Sequence, residues 1–433
     1  MTDIVIKNGR GIDPASKTDT FADILVTGET ITEIGENISS DTRLVIDASG
    51  CIVTPGLIDM HVHFREPGRE DVETILGGSF VAAKSGYASV CPMPNTTPVI
   101  DNQALVRFVK MQGEKGPINV FPIATITKGA NGKELSEMGE LIAANVVAFS
   151  DDGLPVSSSI IMRRALEYSR MFDISLLTHP EDLELTNSGM MNEGINSVLL
   201  GLRGIPAEAE EVMIARDILL TRMTKGRMHI CHVSSAGAIE LIEWAKSKNI
   251  NVSCETAPHY FSLNDGAVAK YMAMAKMKPP LRTENDRLAV IEALRSGLID
   301  VIATDHAPHS LNEKMQEIEY APFGIVGLET AVPLIITVLV KENNFSYLQA
   351  FEKVTCNPAK ILKIDRGRLY KGGKADITII NPDTEIFVDD NFMISHCKNS
   401  PFIGSKLYGS IEYTVCNGRI VYSKKDGFTA NNT

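Results

Sequence analysis

Between residues 52 and 308 short apolar runs alternate with helical stretches, and no other feature of the chain restricts its fold as much. The runs are IVTPGLIDMHVH, YASVCPMP, INVFPIATI, VVAFSDD, ISLLTH, RMHICHV, INVSCET and DVIATDHAP, eight in all. Alternation of buried strands with helices predicts a parallel sheet covered by helices. The clearest helix is PAEAEEVMIARDILLTRM, with Pro206 suited to a first turn and Val212, Ile214, Ile218 and Leu219 as its expected apolar stripe. Eight units closing on themselves make a TIM-type (β/α)8 barrel. An open doubly wound sheet is disfavoured, because no G-x-G-x-x-G follows an early strand and no Walker loop occurs. The expected fold class is therefore α/β, with the barrel over residues 54–359 and its last helix beginning near residue 328.

Both ends of the chain read differently. IVIKNG, ADILVTGETITEIGE and RLVIDASG at the start, and KADITIINP, TEIFV and GSIEYTVCNGRIVYSK at the end, are short β-rich runs broken by Gly and Asn. Cys416-Asn417-Gly418-Arg419 carries an Asn-Gly hairpin signal. Neither end has enough strands for a core of its own, so residues 1–53 and 360–433 are expected to share one small, discontinuous β-sandwich domain.

The 433 residues carry 42 basic and 54 acidic side chains, a net of −12. An acidic chain without a Lys/Arg run is a poor binder of nucleic acid. No apolar run approaches the roughly 20 residues a bilayer requires, and MTDIVIKNGR has no signal-peptide pattern, so a cytoplasmic protein is expected. Seven scattered cysteines without a C-x-x-C pair read as buried thiols.

Chemistry gathers where the runs end. His61 and His63 close the first, His179 the fifth and His232 the sixth, while in the last His306 and His309 follow VIATD, which ends in Asp305. Active sites of such barrels lie at the C-terminal strand ends. Period two puts residues 59, 61 and 63 on one strand face, so His61 and His63 can share a divalent ion. An isolated H-x-H is more often a pair of core histidines; the convergence of further strand ends favours ligands. Ser150-Asp151-Asp152-Gly153 ends the fourth run, and spacing alone does not choose which acid bridges two ions. His229, out of step with His232, reads as core or as support behind a ligand. Asp305 is placed both to bind metal and to move protons, since an ion such as zinc lowers the pKa of its water to around 7.

Together DMHVHFREPG, CPMPNTTP, the SDDG strand end, ATDHAPH and APFGIVGLET resemble a dihydroorotase of the amidohydrolase superfamily, close to the bacterial class with a paired metal centre. The resemblance spans essentially the whole chain. It implies two Zn²⁺ ions, His61 and His63 on the first, His179 and His232 on the second, Asp152 bridging, and Asp305 as ligand and proton shuttle. It also implies that Arg65, Asn95 and His309 hold the substrate carboxylate and that Phe323 and Gly324 touch the pyrimidine ring through their backbone. The reaction implied is the reversible cyclisation of N-carbamoyl-L-aspartate to L-dihydroorotate in pyrimidine biosynthesis, through a zinc-bound hydroxide. A homodimer, and association with aspartate transcarbamoylase, are what such relatives suggest.

Two positions depart from the pattern. Lys278 stands where Asn is common and touches substrate, and Pro180 follows His179 where Cys is usual. Lys278 is a candidate substrate-binding residue that either supplies a second cation for the carboxylate or turns outward and leaves only backbone nearby. Against the negative field of the chain, an anionic substrate needs such local charge; the alternative for Arg65 is a salt bridge with Glu66 or Glu70. Dihydropyrimidinase, hydantoinase and allantoinase resemble the same barrel but usually bridge their metals with a carboxylated lysine, absent from VVAFSDD. A non-catalytic partner of aspartate transcarbamoylase is the other rival, disfavoured because every expected ligand is present. Residues 310–320, SLNEKMQEIEY, are read either as a lid or as an exposed connection.

Overall fold

The structure, a computed structural model, describes residues 3–39 and 44–429; Arg43, at the start of the expected RLVIDASG strand, and the extreme ends of the expected terminal domain lie outside the described residues. All eight apolar runs supply parallel strands: β1 (Leu57–Val62), β2 (Tyr87–Pro92), β3 (Asn119–Val120 and Ile123–Ala124), β4 (Ala148–Ser150), β5 (Ser175–Thr178), β6 (Met228–Ile230), β7 (Val252–Thr256) and β8 (Val301–Ile302). Each pairs in parallel with the next in chain order. The last returns to the first: Val62 bridges His306, and the His63 N–H donates to the His306 carbonyl at 2.8 Å. β3 is split at Phe121-Pro122, where proline has no N–H to give to a ladder.

Every strand is followed by a helix, and the starts are written locally. The side chains of Thr74, Asn102, Ser158, Ser235 and Thr283 each accept a backbone N–H in the first turn of the helix they precede. Within the helix Glu208–Thr224 the expected stripe is only half right. Ile214 and Ile218 are buried, but Val212 and Leu219 are each 47% exposed. The buried face runs instead through Glu210, Ile214, Asp217, Ile218 and Thr221. Its polar members are satisfied: Glu210 accepts the Ser234 N–H at 2.9 Å, and Arg216 donates to Asp217 at 2.7 Å. Paired polar groups displaced apolar ones from the packed face.

The first run divides at Gly56. Ile52–Pro55 leaves the circuit for a seven-stranded sheet, while Leu57 opens β1. That sheet joins both ends of the chain, since Ile52–Pro55 pairs with Ile377–Phe387 on one side and with Arg10–Asp13 on the other. The hairpin Arg10–Asp13 with Thr18–Phe21 was not anticipated; its outer strand, Thr-Asp-Thr-Phe, is exposed at every position. KADITIINP and TEIFV merge into the single bulged strand Ile377–Phe387. A four-stranded sheet of N-terminal strands faces it, and Ile4, Ile6, Ile24 and Ile46 share one apolar cluster with Val53, Ile377, Ile379 and Val415.

The Asn417-Gly418 turn connects Lys406–Cys416 to Arg419–Ser423 with φ of 48° and 72°, as a type I′ turn requires. A Cβ at Gly418 would stand 1.8 Å from the Gly28 carbonyl oxygen. Gly418→Ala is expected to lower unfolding free energy in urea by more than about 2 kcal/mol, combining left-handed strain with a backbone clash.

Candidate metal centre and substrate cleft

The strand ends converge on Asp152. Its Oδ2 lies 3.4 Å from His61 Nε2 and 3.4 Å from His63 Nε2, and its Oδ1 lies 3.4 Å from both His179 Nδ1 and His232 Nε2. Two buried donor triads result, His61–His63–Asp152 and Asp152–His179–His232, each with ligand atoms within 4.8 Å of one another. Asp305 approaches the first triad, its Oδ1 at 3.0 Å from His63 Nε2 and 3.6 Å from His61 Nε2. The neighbouring Asp151 points elsewhere. It accepts the N–H groups of Ile126 and Thr127 at 2.8 and 3.0 Å, together with the Thr127 hydroxyl, and ties β4 to the end of β3. Asp59, on the same face as His61 and His63, is likewise committed, to the Thr304 N–H and hydroxyl.

The outward ring nitrogens are engaged, and the inward ones face one another and the carboxylates, with His63 Nε2 3.0 Å from Asp305 Oδ1 and His179 Nδ1 2.8 Å from His232 Nε2. His61 Nδ1 donates to Glu255 Oε1 at 2.6 Å, His63 Nδ1 to Asn95 Oδ1 at 3.0 Å and His179 Nε2 to Glu181 Oε2 at 3.0 Å. An imidazole that donates outward presents its lone pair inward, the arrangement metal-ligating histidines adopt. At the centre His61 Nε2 and Asp152 Oδ1 are buried without any hydrogen-bond partner, whereas the unpartnered His232 Nδ1 lies on the side of its ring away from Asp152. Unpaired buried polar atoms are costly, so their clustering at one point calls for a partner there. Four imidazoles and two carboxylates form a nitrogen–oxygen set that suits zinc or a similar divalent ion. A third grouping, His61–Cys231–Glu255, does not fit one: Glu255 is already bonded to His61, and burial pushes the Cys231 thiol well above its usual range.

Charge follows this geometry. Burial opposes ionisation of Asp152, but the surrounding imidazoles outweigh it and hold the carboxyl well below its usual range. Burial likewise opposes a charged His179, yet Asp152 and Glu181 hold it up at about 9. For Asp305, His63 and His61 overcome burial and keep the carboxylate ionised. His232 and Asp305 both sit at positive φ, 39° and 48°, a strain that side chains outside glycine tolerate where the surroundings dictate it.

Beside the centre lies a cleft of about 240 Å³ into which Arg65, Asn95, Lys278, His309, Phe323 and Gly324 all project, along with His63, Asp152, His179, His232 and Asp305. Every expected substrate residue is therefore brought to one wall, although the wall differs in detail. Arg65 Nε donates to the Pro308 carbonyl at 3.1 Å. Glu66 and Glu70 instead accept the Ile75 and Gly68 N–H groups, so neither pairs with Arg65. His309 Nε2 lies 2.8 Å from the Phe323 carbonyl, and burial, then Arg65, pushes its pKa down to about 3. His309 is thus neutral, and fixed positive charge in the cleft comes from Arg65 and Lys278. Lys278 pairs with Glu181 at 2.7 Å and overlies the Phe323 ring at 4.9 Å. The Gly324 N–H is already given to the Lys276 carbonyl at 2.9 Å.

Other residues of the site went unnoticed in the sequence. Glu255 spans His61 and His229, accepting from the latter's Nε2 at 3.1 Å, and its place one residue before the end of INVSCET was the available signal. Glu73, far from any strand end, accepts from His306 Nε2 at 3.0 Å while the Gly327 N–H donates to His306 Nδ1, so His306 is structural.

A family model described as dihydro-orotase-like matches residues 50–238, and one described as amidohydrolase family matches residues 232–422. The dihydroorotase of Acetivibrio thermocellus is 50% identical, covering 98% of this chain and 99% of that protein. The dihydroorotase of Geobacter metallireducens is 49% identical over 97% and 100%. Among solved structures, the L-hydantoinase (dihydropyrimidinase) from Arthrobacter aurescens superposes with a TM-score of 0.89 at 24% identity, over 99% of this chain and 98% of that one. That likeness concerns the fold. With half its residues identical along nearly the full length, and with the donor set assembled as above, the chain belongs to the dihydroorotase family of amidohydrolases.

Proposed function

We propose that this cleft interconverts N-carbamoyl-L-aspartate and L-dihydroorotate at a pair of Zn²⁺ ions. One observation carries the reading: a single carboxylate, Asp152, lies 3.4 Å from four imidazole nitrogens in a cleft that also holds the half-buried Arg65. The circuit of eight parallel strands is read as a TIM-type (β/α)8 barrel over residues 54–359. The two sheets of the termini are read as one β-sandwich from residues 1–53 and 360–433.

His61 and His63 would hold the first ion, His179 and His232 the second, Asp152 both, and Asp305 the first. Bound there, divalent ions supply an activated water and a polarised amide carbonyl. The protein's own groups do the rest. Arg65 Nη2 lies 3.3 Å from His309 Nε2, and the guanidinium offers its terminal nitrogens to the substrate carboxylate from that position, a planar fork suited to the group. Asn95, its Oδ1 engaged by His63, offers its amide nitrogen to the same anion. Neutral His309 contributes shape and one hydrogen bond. The Phe323 carbonyl keeps a second lone pair for a ring N–H, whereas the Gly324 N–H is spent within the wall. Lys278 must leave Glu181 to reach an anion, and N-carbamoyl-aspartate has a second carboxylate that dihydroorotate lacks. Asp305, ionised at rest, accepts the proton of the attacking water and delivers it to the ring nitrogen as the C–N bond opens; ring closure reverses these transfers.

Asp305→Asn should lower kcat by about 10²–10⁴-fold per bound zinc, with zinc content measured by elemental analysis so that lost proton transfer is separated from lost metal. Arg65→Met should raise KM for dihydroorotate by about 10–100-fold with a smaller change in kcat, the loss of charge-assisted hydrogen bonds to one carboxylate. In a side-by-side assay dihydroorotate should exceed dihydrouracil, hydantoin and allantoin; the reading is wrong if it is the poorest of the four. Metal removal has a pH signature. In the metal-free protein His179 is raised to about 9 from an ordinary 6.5. Its stabilising contribution is therefore complete below about pH 6.5 and lost as pH rises towards 9. The chelated protein should lose thermal stability over this window, and saturating Zn²⁺, which binds the deprotonated rings, should restore it most at the alkaline end.

A further inference from the structure

The segment 310–324 carries Phe323 and Gly324 to the cleft, and Ile318 and Ala321 are its buried apolar anchors. Leu311, Met315 and Tyr320 are 57%, 72% and 70% exposed. Its inner side is occupied by two lysines, Lys314 and Lys276, both almost completely buried. Neither has a carboxylate within 4 Å among the described residues, so neither charge is neutralised by an ion pair. Main-chain oxygens take that place. Lys314 Nζ donates to the carbonyls of Pro322 and Gly324 at 2.9 Å each and of Lys276 at 3.3 Å. Lys276 Nζ donates to those of Ile318 at 2.6 Å, Ala321 at 2.7 Å and Glu319 at 3.4 Å. Three acceptors match the three protons of each ammonium. Burial pulls the pKa of Lys314 down to about 7 and that of Lys276 down to about 8, and it is the full set of carbonyl partners around each Nζ that makes the lysines the fastening of this segment.

The same framework reaches the substrate wall. The Gly324 N–H donates to the Lys276 carbonyl at 2.9 Å, and the Asn399 amide donates to Gly324 at 3.2 Å and to Ala307 at 3.1 Å. Lys276 Nζ lies 4.3 Å from the centre of the Phe323 ring. Gly324 has φ of 120°, and a Cβ there would stand 2.7 Å from that of Ala307, so the fit between the two sides of the wall is close.

We propose that Lys314 and Lys276 are positioning residues for substrate, their Nζ groups caged by loop carbonyls so that Phe323 and Gly324 form a fixed wall beside Arg65 and His309. The segment acts as a stapled wall and not as a lid. The identity of the ligand rests on the dihydroorotase reading; the stapling does not.

The test uses the full-length, zinc-loaded protein carrying Lys314→Met, a side chain of similar length that cannot donate, and Lys314→Gln, which keeps part of the donor set. Hydrogen exchange followed by mass spectrometry should show amides of residues 316–326 exchanging at least 10-fold faster in Lys314→Met, with Lys314→Gln between it and the parent. KM for dihydroorotate should rise about 10-fold, with kcat and zinc content within 2-fold. Parental exchange and KM in both variants would overturn the proposal. So would a lowered melting temperature with KM unmoved, or a fall in kcat alone. If Lys314→Met does not fold, Lys314→Gln and Lys276→Gln carry the same two readouts. If the parent does not turn over dihydroorotate, the functional reading fails while the exchange measurement still decides the stapling.

Discussion

Asp152 is a carboxylate withdrawn from water and ringed by imidazoles, and the arrangement of the whole rim follows from that burial. An isolated ionised carboxyl in such a place is prohibitively costly, and so is a cluster of unpaired ring nitrogens. The two costs cancel only if charges of opposite sign meet there, as protons on the histidines or as divalent cations. Each outward nitrogen of His61, His63 and His179 is tied to an oxygen of Glu255, Asn95 or Glu181, so the rings cannot turn away from Asp152. The fold contributes by bringing these side chains from β1, β4, β5, β6 and β8 to one end of a parallel circuit.

Beyond this centre the cleft solves a problem of sign. A chain of net charge −12 must receive an anion, and it places Arg65 and Lys278 where the rim would otherwise be dominated by Asp152, Asp305 and Glu181. Lys278 is held by Glu181, which also holds His179, so one carboxylate links a substrate-facing cation to a ligand of the second ion. The neighbouring wall uses a different device, ammonium groups solvated by main-chain carbonyls, which sets position without adding an acid close to the anion site.

Much of this was legible in the residues. Eight apolar runs became eight strands, because continuous Val, Ile, Leu and Ala leave few alternatives to burial on both faces. His61, His63, His179, His232 and Asp305 could be found because they stand at run ends, and period two put the first two on one face. The helix Glu208–Thr224 shows the limit: four apolar residues suggested a stripe, but its buried face admits Glu210 and Asp217 because partners from other elements satisfy them. The hairpin Arg10–Asp13 with Thr18–Phe21 escaped notice for the opposite reason, since a strand with no buried side chain carries no apolar alternation.

Local chemistry along the chain therefore determined which residue types arrive at which strand end, and with them the family and the donor set, since strand periodicity and apolar runs are short-range properties. Only the tertiary structure decided between Asp151 and Asp152, which are adjacent in sequence and equal in chemistry. Asp151 is captured by Ile126 and Thr127, from a strand end more than twenty residues away, and Asp152 is left to the histidines. Glu255 behind His61, the neutrality of His309 and the carbonyl cages of Lys276 and Lys314 belong to the same class. Each depends on a contact between distant segments, and partner distance and desolvation exist only once the chain has folded.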